Sequence, residues 1–400
     1  MNLNYTFTDK AKRFCFILMG IGVLALIYGL VRGIPGQRIW ANLLVNSFFY
    51  LAIALGATFF LALQYATEAA WATAVKRITE AVTTYVPIGG MFMLFIFICG
   101  AFQWNHLYEW MNPATYTSGS EEYDKIIAGK HGYLNLPFFF IRALTYILVW
   151  SLLQRSFRKR SLEADLTGDS NFILHDKNIK SAAIFLVFFG VTSSASAWDW
   201  IMSVDVHWFS TLFGWYIFSG MWVTAMIVMI LLVLHLKRRG HLEQVNENHM
   251  HDLGKWMFAI SFLWSYLWFS QFMLIWYANI PEEVTYFMNR IGHYKVLFFT
   301  TFFINFSFPM LILMSRDAKR NYKYLTVIAL IIFVGHWLDI YMCVMPGTVG
   351  SNWKLVSPLE IGMALGFLGL FIYVILTSLT KAPLMIKNHP YIEESIHHEF

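Results

Sequence analysis

The stretch Ser193 to Tyr216, SSASAWDWIMSVDVHWFSTLFGWY, joins two long apolar runs and sets Asp199, Asp205 and His207 among Trp198, Trp200, Trp208 and Trp215. Charge and aromatic rings at such a junction have two physical readings. One is an interfacial belt, in which tryptophan and tyrosine anchor helix ends at the headgroup level and the aspartates sit in water. The other is the mouth of a pocket for a flat, apolar molecule that exchanges protons. Both require the flanking runs to cross a membrane.

Composition supports that requirement. Of the 400 residues, 58% are hydrophobic and 13% charged, with a mean hydropathy of +0.53, whereas a soluble domain has about a quarter of its residues charged. The chain therefore reads as an all-α, polytopic membrane protein. Its net charge of +5 is spread over loops between apolar runs and forms no contiguous patch, so nucleic acid is not an expected partner. Cys15, Cys99 and Cys343 lie far apart in apolar runs, with no spacing that suits zinc or an iron–sulfur cluster.

Working outward, ten runs are each long enough to span, given about 20 residues per crossing. They are 14–31, 40–63, 86–104, 134–153, 182–198, 212–236, 256–277, 296–314, 325–344 and 359–380, followed by a tail, 381–400. The first follows Lys10, Lys12 and Arg13 as a signal peptide would, but no small-residue cleavage site comes after it, so it counts as a span. Ten spans put both termini on one side. The N-terminal segment, the even-numbered loops and the tail together carry 21 Lys or Arg, against 7 in the odd-numbered loops. The positive-inside rule then predicts that both termini are cytoplasmic.

On this topology the unusual polar residues gather on the outer side. His106 and Glu109 end span 3, Arg142 lies in span 4, Asp199 ends span 5, and His336 and Asp339 lie within span 9. Glu282, Glu283 and His293 fall between spans 7 and 8. A charge near the centre of a span costs about 2.5 to 3.5 kcal/mol on insertion scales, so such residues face the bundle interior and are paired. A faint internal repeat has a period of four spans. WNHLYEW (Trp104 to Trp110) matches WYANIPEE (Trp276 to Glu283), and GVTSSASAWDW (Gly190 to Trp200) matches GHWLDIYM (Gly335 to Met342). Spans 2–5 and 6–9 are thus expected to form two related four-helix bundles, with spans 1 and 10 added.

His336 with Asp339, and His106 with Glu109, stand three apart and would share a helical face. As proton-relaying pairs they would use a histidine that titrates near neutrality beside a desolvated carboxylate. As structural pairs they would simply join helices. Arg142 reads as neutralising a neighbouring acid. Glu360 in span 10 reads instead as a capping box with Ser357 and Pro358. No Glu-x-x-His motif occurs on any span, and no metal site is expected.

Three segments carry a family resemblance: DWIMSVDVHWFSTLFGWY (Asp199 to Tyr216), FSQFMLIWYANIPEE (Phe269 to Glu283) and the tail KAPLMIKNHPYIEESIHH (Lys381 to His398). They resemble the NrfD-like (PsrC-like) membrane subunits of bacterial alternative complex III, a quinol:cytochrome c oxidoreductase. That complex has two such subunits, ActC and ActF. The chain lacks the N-terminal Gly-Asn-Lys and His motif of ActC, and is more similar to ActF.

The resemblance implies a respiratory-chain subunit with no redox centre of its own. Its partners would be an ActC-like sister subunit, outer-face iron–sulfur and haem subunits, a terminal oxidase and lipids. The expected ligand is a quinone or quinol, menaquinone or ubiquinone. His336, Asp339, Asp199, His106 and Glu109 would carry protons, with Arg142 balancing charge. Trp198, Trp200 and Trp208, with Asp205, His207 and His293, would line the quinone pocket. The isolated chain would not be catalytic. A scaffold subunit and, further off, a secondary transporter are the rival readings.

Overall fold

The computed structural model describes residues 4–169, 171–350 and 356–398. Lys354, counted above among the basic residues of the odd-numbered loops, and the last two residues of the tail lie outside them. Among the described residues the regular structure is wholly helical, and ten helical segments are long and apolar enough to cross a membrane. A lipid environment leaves the backbone no partner but itself, which is why spanning segments of this composition become helices.

Span 1 is α1 (Asp9–Val31) and span 2 is α2 (Gly36–Ala66). Span 3 is composite: a 3₁₀ turn at Trp71–Val75 leads into α3 (Lys76–Thr83), and after a short break α4 (Val86–Ala101) completes the crossing. A small loop helix, α5 (Lys125–Lys130), precedes span 4, α6 (Leu136–Thr167), and span 5, α7 (Ile173–Trp200). Spans 6 and 7 are α8 (Leu212–Arg238) and α9 (Glu247–Ala278), followed by α10 (Pro281–His293). Span 8 is broken into α11 (Lys295–Phe302), a π turn at Phe303–Ser307 and α12 (Phe308–Ile312). Pro309 accounts for the break, because its ring would press on the carbonyl of Asn305 in a regular helix. A loop helix, α13 (Arg316–Arg320), then leads to span 9, α14 (Tyr322–Val349), and span 10, α15 (Pro358–Leu379). The tail ends in α16 (Ile392–Ile396).

Side-chain caps fix several of these starts. Asn135 accepts from Phe138 N at α6, Asn246 forms a capping box with His249 at α9, and Asn321 caps α14. The expected box at α15 is present, with Ser357 and Glu360 bonded reciprocally. Arg38 adds a bidentate pair to the same Glu360 carboxylate, at 2.8 and 3.0 Å.

Packing closes two rings. In the first, α2 touches α3 and α4, α4 touches α6, α6 touches α7, and α7 returns to α2. In the second, α8 touches α9, α9 touches α12 and the π turn, α11 touches α14, and α14 returns to α8. The rings join where α2 meets α8, and the flanking contacts α7 with α8 and α14 with α2 correspond under exchange of the two halves. That is the arrangement of a parallel repeat related by an axis along the membrane normal. Matching ends follow: α4 is succeeded by Gln103 at φ 59° and α9 by Asn279 at φ 49°, both left-handed.

Span 3 departs from the sequence expectation at both ends. Lys76 and Arg77, counted above among the basic residues of the even-numbered loops, are buried. Arg77 is paired with Glu80 at 2.7 Å and Asp165 at 2.5 Å, so a pair of basic residues that reads as a loop is internal. At the other end the helix stops at Ala101, because Gln103 takes left-handed geometry and the Asn105 amide donates to Ile96 O at 3.1 Å. His106 and Glu109 therefore fall in a loop, both exposed, and share no helical face.

The tail crosses the basic end of both rings. Lys387 N and Asn388 N donate to Asp165, Ser395 bonds Ala74 N and Trp71 O, and His398 Nε2 donates to Asp252 at 2.7 Å. Within it His389 stands edge-on to His175 of α7, 4.8 Å between ring centroids. Burial, then the neighbouring Lys76 and His175, hold its pKa down at about 2. An undocked histidine titrates near 6.5, so below that pH the free tail binds a proton that the docked tail refuses. Tail docking should therefore weaken as pH falls from about 6.5. Nonspecific proteolysis of the tail should be faster at pH 5 than at pH 7.5, and His389→Phe should flatten the difference.

On the flank of the rings α1 lies against α15 through small residues. A Cβ built on Gly22 would fall 2.6 Å from Gly366 Cα, and one on Gly362 would fall 2.3 Å from the Ala25 methyl. The backbones touch there, as small-residue interfaces between membrane helices require. Gly22→Leu should lower the unfolding free energy in detergent by about 1 to 3 kcal/mol, the usual cost of overpacking. A denaturant titration reads this, and no loss would mean that α1 is not held by this contact.

Candidate functional site

The strongest polar features lie where α7 and α14 approach the end of the bundle at which α8 begins. They differ between the rings. In the first, Asp199 is fully buried and Arg142 of α6 grips it with two bonds, Nε to Oδ2 at 2.8 Å and Nη2 to Oδ1 at 3.0 Å. The guanidinium also donates to Tyr133 O at 3.1 Å and lies 3.9 Å from the Tyr133 ring centroid. Both charges are matched and oriented, as the sequence reading of Arg142 expects.

In the second ring Asp339 is 4% exposed and, among the described residues, has no cation within 4 Å. Its carboxylate accepts from two neutral donors, the Tyr216 hydroxyl on one oxygen and Trp264 Nε1 on the other at 3.0 Å. Asp339 forms one side of a cleft with Gln271, Tyr286, Arg290 and Cys343, walled by Trp268, Phe287 and Phe298. Arg290 is engaged elsewhere. It donates to Met342 O at 3.0 Å and Cys343 O at 3.2 Å, and lies 3.3 Å from the Tyr286 ring centroid. Pro346, four residues after Met342, has no N–H for that carbonyl, so Arg290 satisfies a group that the proline releases.

Beneath Asp339 the ring holds polar atoms without partners. His336, 2% exposed, bonds at neither ring nitrogen and meets Trp264 edge-on at 5.3 Å. His336 and Asp339 share a face of α14, as expected, but are joined through the Trp264 side chain and not by a bond of their own. Asn305, in the π turn, is fully buried with both amide atoms unpartnered, and packs against Gly335. The Ser261 hydroxyl on α9, one turn before Trp264, also lacks a partner. The first ring pairs Trp150 with Thr192 and Gln154 with Thr83, while Ser151, Tyr85 and Trp200 there also keep an unpartnered polar atom.

The remaining predicted residues are dispersed. Trp200 packs into the first ring against Trp150, and Trp198 beside it is half-buried. Trp208 stacks on Tyr286, centroids 3.9 Å apart, and so backs the second-ring cleft from the loop side. Asp205 is half-buried near Gly347, and His293 is exposed. His207, also exposed, donates to Asp124 at 2.7 Å. That bond, helped by the backbone donors of α5, holds the Asp124 carboxyl below its usual range. The predicted pocket residues thus do not converge on one cavity.

Tyr216, Gln271, Tyr286 and Arg290 line the cleft, and Trp264 bonds its carboxylate, without having been singled out from sequence. Tyr216 closes the opening stretch, and Gln271 lies inside FSQFMLIWYANIPEE. Among the described residues no three His, Cys, Asp or Glu side chains converge as a metal centre requires. No model of a known protein family matches the chain, and no curated protein matches it. Its class is given by the fold alone, a polytopic membrane protein of ten apolar helices.

The first-ring pair makes its own test. Arg142→Ala leaves Asp199 buried without its cation and should cost about 3 to 5 kcal/mol, while the double change to Leu at both positions should recover most of that loss. Denaturation midpoints in detergent measure both. Equal losses for the single and the double variant would show that the pair carries more than charge neutralisation.

Proposed function

We propose that this chain is an NrfD-like, ActF-type membrane subunit of a quinol-oxidising respiratory complex of the alternative complex III kind, and that its second ring handles the protons. It would lie in a bacterial inner membrane with both termini cytoplasmic, beside an ActC-like sister subunit and outer iron–sulfur and haem subunits. The family part of this reading rests on the resemblance of 199–216, 269–283 and the tail. The observation that carries the proton role is Asp339, a buried carboxyl with two neutral donors and no cation.

A carboxyl held this way can change protonation without breaking an ion pair, which Asp199 cannot. Asp339 would take a proton at a carboxylate oxygen, with Tyr216 as the adjacent hydroxyl donor and acceptor. Gln271 and the walls formed by Trp268, Phe287 and Phe298 are the groups that would hold a flat ring. A quinol supplies two protons and two electrons on oxidation, and this reading sends the electrons to a neighbouring subunit. Below the cleft, water bridging Ser261, Asn305 and His336 would satisfy their orphaned atoms and extend the proton route.

Asp339→Asn keeps the shape and removes the titration. In the purified whole complex it should lower turnover by about 10²-fold or more, the scale of a lost acid–base group, with subunit composition unchanged. Unchanged turnover in an intact complex would leave the chain as a scaffold that docks its partners.

A further inference from the structure

At the opposite, basic end of the first ring a second cavity has no part in the proton reading. It lies between the end of α2, the start of α3, the start of α7 and the tail, lined by Lys76, Tyr65, His175 and His389. Lys76 is 8% exposed, and among the described residues its ammonium has neither a carboxylate nor a hydrogen-bond acceptor; it stands 4.1 Å from the Tyr65 ring centroid. His175 is equally buried, and both its nitrogens lack partners. His389 Nδ1 accepts from Tyr391 N at 3.3 Å, which places the proton of the neutral ring on Nε2 as a donor. Arg160 lines a neighbouring cavity that shares Lys76, Tyr65, His175 and His389, and among the described residues it bonds Ser156, Ser181 and Lys177 O and no acid.

The acids that act on Lys76, Glu80 and Asp165, are both bonded to Arg77, which leaves Lys76 without a carboxylate of its own, and a buried cation so placed is completed by a group that carries negative charge. Donors arriving from α3, α7 and the tail suit a tetrahedral oxyanion. The acids at the rim set an upper limit on its charge. Glu68 accepts from Tyr391, and Asp169 is occupied by Leu174 N and His175 N, yet both still repel a dianion.

We propose that Lys76, His175 and His389 form a binding site for a singly charged phosphate group at the basic end of the first ring. The phosphodiester of a lipid headgroup and free phosphate share this chemistry, and the tail residues His389 and Tyr391 close over whichever is bound.

The test uses the full chain, purified and stripped of lipid, with its thermal midpoint measured against three additions. These are phosphatidylglycerol, diacylglycerol with the same acyl chains, and inorganic phosphate. Phosphatidylglycerol should raise the midpoint by several degrees and diacylglycerol should not. A matching rise with inorganic phosphate would assign the site to soluble phosphate; no rise would assign it to lipid. Lys76→Gln should weaken the phosphate response at least tenfold in half-maximal concentration. His175→Phe, which breaks no bond within the protein, should do the same and serves if Lys76→Gln does not fold. The proposal is overturned if diacylglycerol stabilises as well as phosphatidylglycerol, if no addition stabilises, or if the variants respond like the unaltered chain.

Discussion

Backbone contact between α2 and α8 is the constraint on which the two-ring architecture depends. A Cβ on Gly56 would fall 2.2 Å from the carbonyl oxygen of Met221 and 3.0 Å from the Ala225 methyl, so only glycine lets these helices meet. In lipid no hydrophobic force drives apolar helices together, and packing at such close approaches takes its place. The same device recurs beside the seam, where a Cβ on Gly214 of α8 would lie 2.7 Å from the Ser194 side chain of α7. With α2 and α8 locked, α7 and α14 are held on either side of them. Their acid-bearing ends, with Asp199 and Asp339, then occupy related places in the two rings.

From related places the halves diverge in how they satisfy polarity. The first ring pairs its strongest groups, Arg142 with Asp199, Arg77 with Glu80 and Asp165, and Asn178 with Tyr65, and leaves Lys76 and His175 unpartnered only at its basic end. The second leaves Asp339 to neutral donors and leaves His336, Asn305 and Ser261 with unmatched atoms. Its third span is also the one broken by a π turn, a feature found often at functional sites. A repeat makes room for this: one half carries an ion pair where the other carries an acid held by neutral donors.

The sequence made the spans legible because length and hydropathy alone decide them, and it made the α15 cap legible because Ser357, Pro358 and Glu360 are adjacent. It also pointed to Arg142 as a charge balancer, since an intramembrane arginine must find an acid. It failed at Lys76 and Arg77, where a basic pair looks like a loop until Asp165, 88 residues away from Arg77, is seen to neutralise it. It placed His106 and Glu109 on a helix because an apolar run gives no sign of the left-handed turn at Gln103. Tyr216 and Tyr286 of the cleft, and Trp264 behind its carboxyl, are aromatic residues in a chain that is 18% aromatic. Nothing local separates those that bond or shield a carboxyl from those that fill a core.

The second ring also bears on the choice between a scaffold and a working subunit. Leaving a buried polar group unpartnered costs about 1 to 3 kcal/mol, and the cost is greater for a charged one. His336, Asn305 and Ser261 incur it together, next to a carboxyl with no cation. A bundle whose task is to dock neighbours gains nothing from these groups, and apolar residues of similar size would hold α9, the π turn and α14 together more cheaply. On the proposed function, this unmatched set on three adjacent spans, beside the one buried acid that has no cation among the described residues, is where water and protons would pass.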